Sequence, residues 1–153
     1  MITENDIIDI QEKWGEGIIK ISNSYNNGED YKKEAYLFVS DFYAYDKEKV
    51  LFKPTLASKF QFRIDKDSAL SYFIGQNPYY YEDAGFALKG WKQVRWERAG
   101  IKIFNDIALC MGNYFFLDSN SEELKVEFSF VYKLYDPGNL KIILHDSHLP
   151  YSN

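Results

Sequence analysis

Apolar residues in the first third of the chain recur with the spacing of amphipathic helices. Thr3-Glu4-Asn5-Asp6 resembles a capping box with an acidic last position. A stripe follows at spacings of three, four or seven residues, formed by Ile7, Trp14, Ile18, Ile21 and Tyr25. Asn27-Gly28 is a stop signal. A second stripe consists of Tyr31, Ala35, Phe38, Phe42 and Tyr45. The pattern predicts two helices that pack on a sheet.

The middle of the chain has shorter elements. Val50-Leu51-Phe52 predicts a short strand that Pro54 stops. Residues 67–74 predict a third, short helix that ends at Gly75. Residues 77–83 form a tyrosine-rich loop.

The second half of the chain changes to the pattern of strands. Turn residues separate four β-rich segments, which are 86–104, 106–118, 123–135 and 139–148. Such short connections indicate an antiparallel meander. The first segment is too long to be straight, and Gly100 predicts a bend or bulge in it. Three helices followed by a bent meander make an α+β fold, in which the helices close the sheet into a cone with an internal cavity.

The length and composition fit one ordinary globular domain, residues 1–153. Aromatic residues make up 18% of the chain. This high share indicates a pocket or an interface in addition to a core, and the alternative is simply an aromatic-rich β core.

Charge and cysteine content exclude several classes of function. The net charge is −5 and there is no basic stripe, so neither nucleic acid nor an anionic membrane is an expected partner. Cys110 is the only cysteine, which rules out an intrachain disulfide and a cysteine-built metal site. We see no secretion signal and no run near the roughly 18 apolar residues of a membrane helix. The expected location is the cytoplasm.

The last predicted strand holds both histidines of the protein. In the segment 144–148, strand alternation places His145 and Ser147 on one face, about 7 Å apart, with Asp146 and His148 on the other. A histidine near a hydroxyl can act as a base or a donor at neutral pH. The alternative is a satisfied polar pair at a strand end. Asp146 and His148 are too few to make a metal site, and we predict none.

Several segments together resemble the iota-class carbonic anhydrases. These segments, in chain order, are Gln11–Ile18, Leu51–Thr55, Ala69–Phe73, Met111–Phe116 and Leu144–Tyr151. The resemblance covers nearly the whole chain. It implies the NTF2-like cone, a fold shared with the association domain of calcium/calmodulin-dependent kinase II.

The resemblance also implies an activity and a set of site residues. The family interconverts carbon dioxide and bicarbonate, in at least some members without a metal, so no cofactor is expected. Its pocket is lined by a threonine, a tyrosine, a histidine and a serine. By motif position these are Thr55, Tyr72, His145 and Ser147, and we expect them to be catalytic, with the three hydroxyls also binding substrate.

Two further residues and one departure from the family motif complete this prediction. Tyr114 and Asn113 are candidates to line the cavity, with a core position as the alternative for Tyr114. The family closes on His-His-Ser-Ser-Leu-Pro, whereas this chain has His-Asp-Ser-His-Leu-Pro. The two altered positions are Asp146 and His148, which strand alternation directs away from the pocket.

Two other functions fit the same sequence. One is a non-catalytic module that binds a small ligand or assembles oligomers. The other is a different NTF2-like enzyme, such as an isomerase or hydrolase, which a carboxylate beside a histidine in the pocket would indicate. Exposed sheet faces in this fold usually pair, so a homodimer or a larger closed homo-oligomer is expected.

Overall fold

The first helix begins where the sequence predicts. The structure is a computed structural model that describes all 153 residues, and α1 spans Glu4–Asn26. The Thr3 hydroxyl accepts a hydrogen bond from the Asp6 N–H at 3.2 Å, and the Asp6 carboxylate accepts one from the Thr3 N–H at 2.8 Å. This reciprocal pair is the predicted capping box.

Two more helices have side-chain caps of the same kind. The helix α2, Tyr31–Phe42, begins after Asp30, and α3, Lys66–Ile74, begins after Asp65. Each aspartate accepts a hydrogen bond from a backbone N–H of the first helical turn. A short 3-10 turn, Ala44–Asp46, follows α2. No helix of the structure has both the length and the apolar character needed to cross a membrane.

Five strands form one curled sheet. In chain order they are β1 (Leu51–Lys53), β2 (Gln93–Phe104), β3 (Ile107–Leu117), β4 (Glu123–Asp136) and β5 (Asn139–His148). The spatial order is β1-β5-β4-β3-β2. Strands β2 to β5 form the predicted antiparallel meander. The structure adds one feature, because β1 pairs with β5 in the parallel sense at the edge of the sheet.

The first long strand is shorter than predicted. The sequence pattern extends it from residue 86, but β2 begins at Gln93, and Phe86–Leu88 form a 3-10 turn. Gly85 has φ +83, which turns the chain before this segment. The Trp91 indole N–H donates to the Phe86 carbonyl at 2.7 Å, so both rings enter the core from a loop. The predicted bulge is confirmed by the register shift between Arg98 and Gly100.

The hydrophobic core lies between the helices and one face of the sheet. It is a cluster of 29 buried residues, many of them aromatic, and it includes the single cysteine, Cys110. Two polar side chains of β5, His145 and Ser147, are buried within this layer. Because burying a polar group without partners is costly, their hydrogen bonds identify the part of the core that needs a functional explanation.

Candidate functional site

The end of β5 presents its polar residues as strand alternation predicts. His145 is 2% exposed and Ser147 is 1% exposed, and both face the helices. Asp146 and His148 lie on the other face, where the Asp146 carboxylate is 3.7 Å from Nδ1 of His148. Both positions that depart from the family motif are therefore outside the core.

A bulge in β5 determines which of these pairs faces inward. Val131 pairs with Leu144 and the next residue of β4, Tyr132, pairs with Ile142. Ile143 is therefore the extra residue of the bulge and has no partner on β4. Ile142 and His145 are consequently both buried although they are three residues apart. Without this extra residue, alternation from Ile142 would direct Leu144 inward in place of His145.

The His145 imidazole is enclosed by aromatic rings. Its centroid is 4.0 Å from that of Phe130 on β4 and 4.9 Å from that of Phe52 on β1, and both rings stack nearly parallel to it. Phe130 and Phe52 are its cross-strand partners. Burial between these rings lowers the pKa of His145 well below its ordinary value. The histidine is therefore neutral at physiological pH.

Both ring nitrogens of His145 have a tyrosine hydroxyl as partner. The Tyr43 hydroxyl lies 2.9 Å from Nδ1 and the Tyr114 hydroxyl lies 3.0 Å from Nε2. Tyr114 is also 2.6 Å from Oγ of Ser147, which is 2.6 Å from Oγ1 of Thr55. A continuous hydrogen-bonded path thus runs from the helix layer through His145 to the loop after β1.

Tyr72 approaches the same place from α3. Its hydroxyl accepts a hydrogen bond from the Leu56 N–H at 3.2 Å, and its ring stacks on Phe86 with the centroids 5.7 Å apart. Burial raises the pKa of Tyr72 and of Tyr114. Both phenols therefore keep their hydrogens at neutral pH and remain able to donate.

A small cavity lies where these groups meet. Its lining residues are Trp14, Phe52, Pro54, Thr55, Tyr72, Phe73, Phe86, Tyr114, Phe116, His145 and Ser147. None of them is Asp, Glu, Lys or Arg, so the carboxylate that would indicate an isomerase or hydrolase is absent from the lining. The volume of about 10 Å³ is close to the roughly 10–15 Å³ that one water molecule needs. Thr55 is the one lining residue that is partly exposed, so the cavity meets solvent beside it.

The loop that carries Thr55 is fastened at two points. The guanidinium of Arg63 is fully buried and pairs with both carboxylate oxygens of Asp83, at 2.8 and 2.7 Å. The Glu82 carboxylate accepts hydrogen bonds from three consecutive backbone N–H groups, at residues 58–60. Burial opposes ionisation of Glu82, but these hydrogen bonds outweigh it and lower its pKa to about 2. The anchored loop positions Thr55 against Ser147.

One of the candidates predicted from the sequence is not at the cavity. Thr55, Tyr72, Tyr114, His145 and Ser147 all line it, but Asn113 does not. Asn113 precedes the inward-facing Tyr114 on a regular strand, so its side chain projects from the opposite face of the sheet.

The sequence did not indicate the hydrogen bonds that Trp14 and Tyr43 make beside His145. The helical pattern includes Trp14 only as part of the stripe on α1, and it does not include Tyr43. The stripe on α2 was assigned through Phe42, whereas the buried positions are Ala35, Phe38, Val39 and then Tyr43. The spacing of four from Val39 to Tyr43 was the available signal.

Potential metal ligands do not gather anywhere in the structure. No three His, Cys, Asp or Glu side chains lie together in an arrangement that could hold a metal ion.

Comparisons with known proteins connect this geometry to a family. The profile of a family described as metal-independent carbonic anhydrase matches residues 5–149. A metal-independent carbonic anhydrase from Nostoc sp. is 38% identical over 153 residues, which cover 98% of this chain and 75% of the relative.

Solved structures agree with this relationship. The crystal structure of an iota-carbonic anhydrase from a cyanobacterium, complexed with bicarbonate, is 37% identical and superposes with a TM-score of 0.96 over 99% of this chain and 94% of that one. A protein from Xanthomonas campestris described as a calcium/calmodulin-dependent protein kinase II association domain is 19% identical, with a TM-score of 0.66 over 100% of this chain and 91% of that one. This more distant likeness shows the fold alone, which is the NTF2-like fold predicted from the sequence.

Proposed function

This chain belongs to the metal-independent carbonic anhydrase family, and on that basis we propose that it catalyses the reversible hydration of carbon dioxide to bicarbonate. The observation that carries the proposal is the convergence of Thr55, Tyr72, His145 and Ser147 on one small cavity with aromatic walls. These are the four positions that the family motif assigns to the pocket. No cofactor is needed in this proposal.

The hydroxyl groups would stabilise the charge that develops during hydration. As water adds to the carbon atom, negative charge grows on the oxygens that become bicarbonate. Hydroxyl donors fixed before the reaction stabilise such charge without reorganising. In our proposal Thr55, Tyr72 and Ser147 hold these oxygens, and His145 handles the proton or orients the water. The aromatic walls exclude bulk water, which strengthens each hydrogen bond.

Binding of substrate requires the cavity to enlarge. A volume of about 10 Å³ accommodates one water, whereas bicarbonate has four heavy atoms. Every lining residue except Thr55 is buried on a packed element or beside one. We therefore expect the short segment at Thr55, between β1 and the anchored residues 58–60, to move outward when carbon dioxide enters and bicarbonate leaves.

Stopped-flow hydration of carbon dioxide with a pH indicator tests the proposed function. Chelator-treated protein should be active, and Ser147→Ala should lower kcat on the order of 10²-fold, the usual loss when one charge-stabilising donor is removed. Ser129→Ala is the matched control, since Ser129 lies on the outer face of β4 opposite Asp146. It should keep wild-type activity.

The opposite outcome is equally clear. No activity above buffer, with or without added zinc or manganese, would reject the enzyme and favour a non-catalytic module that binds a small anion or assembles oligomers. Activity that Ser147→Ala leaves unchanged would reject the assigned site but keep the reaction.

We further propose that the protein forms a homodimer or a larger homo-oligomer. The outer face of the sheet supports this, because it presents an apolar groove that includes Leu109, Met111 and Val131. Met111 is 57% exposed, which is unusual for a methionine on a regular strand. We also propose a cytoplasmic location, which the single free thiol of Cys110 suits and which cell fractionation would test.

A further inference from the structure

The two polar neighbours of Tyr43 determine where its hydroxyl hydrogen points. Tyr43 follows α2 and is fully buried. Nε1 of Trp14, at 3.3 Å, donates to the Tyr43 oxygen, and an indole nitrogen can only donate. The remaining neighbour is Nδ1 of His145, at 2.9 Å. The Tyr43 hydrogen can therefore be satisfied only by donation to Nδ1, which must then be the unprotonated nitrogen.

The opposite arrangement leaves a buried donor without a partner. If Nδ1 of His145 carried the hydrogen, the Tyr43 oxygen would accept from both His145 and Trp14, and its own hydrogen would have no acceptor. A fully buried hydroxyl in that state is costly. A neutral imidazole with an unprotonated Nδ1 carries its hydrogen on Nε2. That hydrogen is donated to the Tyr114 hydroxyl at 3.0 Å.

The same logic sets the direction of the remaining bonds. Because Tyr114 accepts from Nε2, its own hydrogen goes to Oγ of Ser147 at 2.6 Å. The Ser147 hydrogen then goes to Oγ1 of Thr55, also at 2.6 Å. Because Thr55 accepts from Ser147, its own hydrogen points away from Ser147 and toward the open end of the cavity, which the Tyr72 hydroxyl also faces and where a ligand can accept it.

We infer that Tyr43, held by Trp14, is a positioning residue that fixes His145 as the Nε2–H tautomer and so gives every hydrogen bond from His145 to Thr55 one direction. The tautomer follows from the hydrogen bonds alone. Its role in carbon dioxide chemistry rests on the function proposed above.

This direction excludes one of the two roles left open for His145 above, that of the proton acceptor. Both ring nitrogens are occupied, one accepting and one donating, so the proton that water loses as it adds to carbon dioxide passes to solvent or buffer at the open end of the cavity. His145 instead anchors a row of hydroxyls in which Ser147 donates to Thr55 and Thr55 is the last donor. Ser147 can therefore hold a ligand oxygen itself only after Thr55 has moved outward. The ligand that suits the end of this row is a hydrogen-bond acceptor, and the developing oxygens of bicarbonate are of that kind.

Nuclear magnetic resonance on protein labelled with ¹⁵N-histidine measures the tautomer directly. The chain has only two histidines, and a His148→Gln variant assigns their signals. We expect His145 to show a protonated Nε2 and an unprotonated Nδ1, since each nitrogen has its own pattern of couplings to the ring hydrogens. A proton on Nδ1 in the wild-type protein overturns the inference.

Two matched tyrosine variants test the cause. Tyr43→Phe removes the hydroxyl that bonds to Nδ1 of His145, so Nδ1 has no partner in either tautomer. The Nδ1 and Nε2 signals should therefore shift toward a mixture of the two tautomers. Tyr45→Phe removes a neighbouring hydroxyl that donates to the Arg63 carbonyl, and it should leave both His145 signals in place. Unchanged signals in Tyr43→Phe overturn the assigned role of Tyr43. Neither measurement needs activity, so an inactive protein with the Nε2–H tautomer rejects only the proposed function.

Discussion

At the scale of the residue, His145 shows how a polar side chain can be placed in an aromatic core. Phe52 and Phe130 cover the two faces of the imidazole, while Tyr43 and Tyr114 satisfy its two nitrogens in the ring plane. The two phenylalanines keep water from the faces of the imidazole, and the two tyrosines supply hydrogen bonds at its edge. This combination keeps the ring neutral and in one orientation.

The neutrality of His145 predicts a pH dependence of stability. Its folded pKa is depressed below the ordinary value of 6.5, so below pH 6.5 the unfolded chain binds a proton that the folded chain does not. The free energy of unfolding should therefore fall with decreasing pH, by up to about 1.4 kcal/mol per pH unit for this one group. Above pH 6.5 this group contributes no slope. Urea denaturation at a series of pH values measures the effect.

Variants at the two histidines separate this contribution from others. The His145→Phe variant should be inactive. Below pH 6.5, its free energy of unfolding should fall less steeply with decreasing pH than that of the wild type, by the slope that corresponds to one proton. His148→Gln, which removes the half-exposed histidine, should keep that slope. A wild-type curve identical in shape to that of His145→Phe would contradict a neutral His145.

At this scale the sequence predicted five of the residues that line the cavity, and the positions that it did not predict have a physical cause. Alternation put His145 and Ser147 on one face, but only the family motif directed that face inward, because the deciding bulge at Ile143 has no glycine to mark it. Strand alternation also indicates that Asn113 lies on the other face of the sheet from its neighbour Tyr114. The role of Tyr43 depends on a contact 102 residues away in sequence, which no local pattern contains.

At the scale of the element, the bend in the sheet depends on a close approach between β3 and β2. A Cβ atom built on Gly112 would lie 2.9 Å from the backbone nitrogen of Ala99, and it would contact the Glu97 carbonyl still more closely. The approach occurs at the bulge between Arg98 and Gly100. Glycine is therefore needed at position 112 because no side chain fits there, and this explains the Met-Gly-Asn-Tyr segment.

The close approach predicts unequal effects of two glycine substitutions. Gly112→Ala must push β3 away from the bulge and should destabilise the fold by about 1–3 kcal/mol. It should also lower hydration activity, because Tyr114 is two residues further along β3. Gly100→Ala is the control, since a Cβ there meets no atom within 4 Å. Thermal unfolding of both variants measures the difference. Equal unfolding temperatures for Gly112→Ala and Gly100→Ala would contradict the prediction.

The boundaries of the elements were predicted where the signal is local. The capping box at Thr3 begins α1, and the glycine at position 75 ends α3. Both act through contacts within a few residues, so both boundaries can be recognised in the sequence. The segment 86–92 was wrongly extended as a strand because its apolar rings resemble a strand pattern. Those rings are buried from a loop whose shape depends on contacts with α1, such as that between Trp91 and Ser22.

At the scale of the whole molecule, the two faces of the sheet have different tasks. The inner face carries the core and the cavity, while the outer face leaves the apolar groove around Met111 uncovered by any helix. The parallel pairing of β1 with β5 could not be predicted, because the partners are more than 90 residues apart and β1 has only three residues.

The uncovered face predicts how the assembly can be broken. Met111→Glu places a charge in the centre of the proposed contact and should convert the oligomer to monomers at micromolar concentration, as measured by light scattering. Tyr81→Ser removes a still more exposed apolar side chain, in the tyrosine-rich loop, and should leave the mass unchanged. A wild-type protein that is already monomeric at micromolar concentration would contradict the proposed assembly.

The position of β5 between β4 and β1 has a consequence for synthesis on the ribosome. The strand that completes the sheet is made after all the others, yet it is the only sheet neighbour of β1 and it carries His145 and Ser147. Until Asn139–His148 has emerged, a nascent chain has an open edge on β4, an unpaired β1 and no site. Translation that pauses before Asn139 therefore leaves strand edges exposed that favour aggregation, and the candidate site forms only when the last strand has emerged.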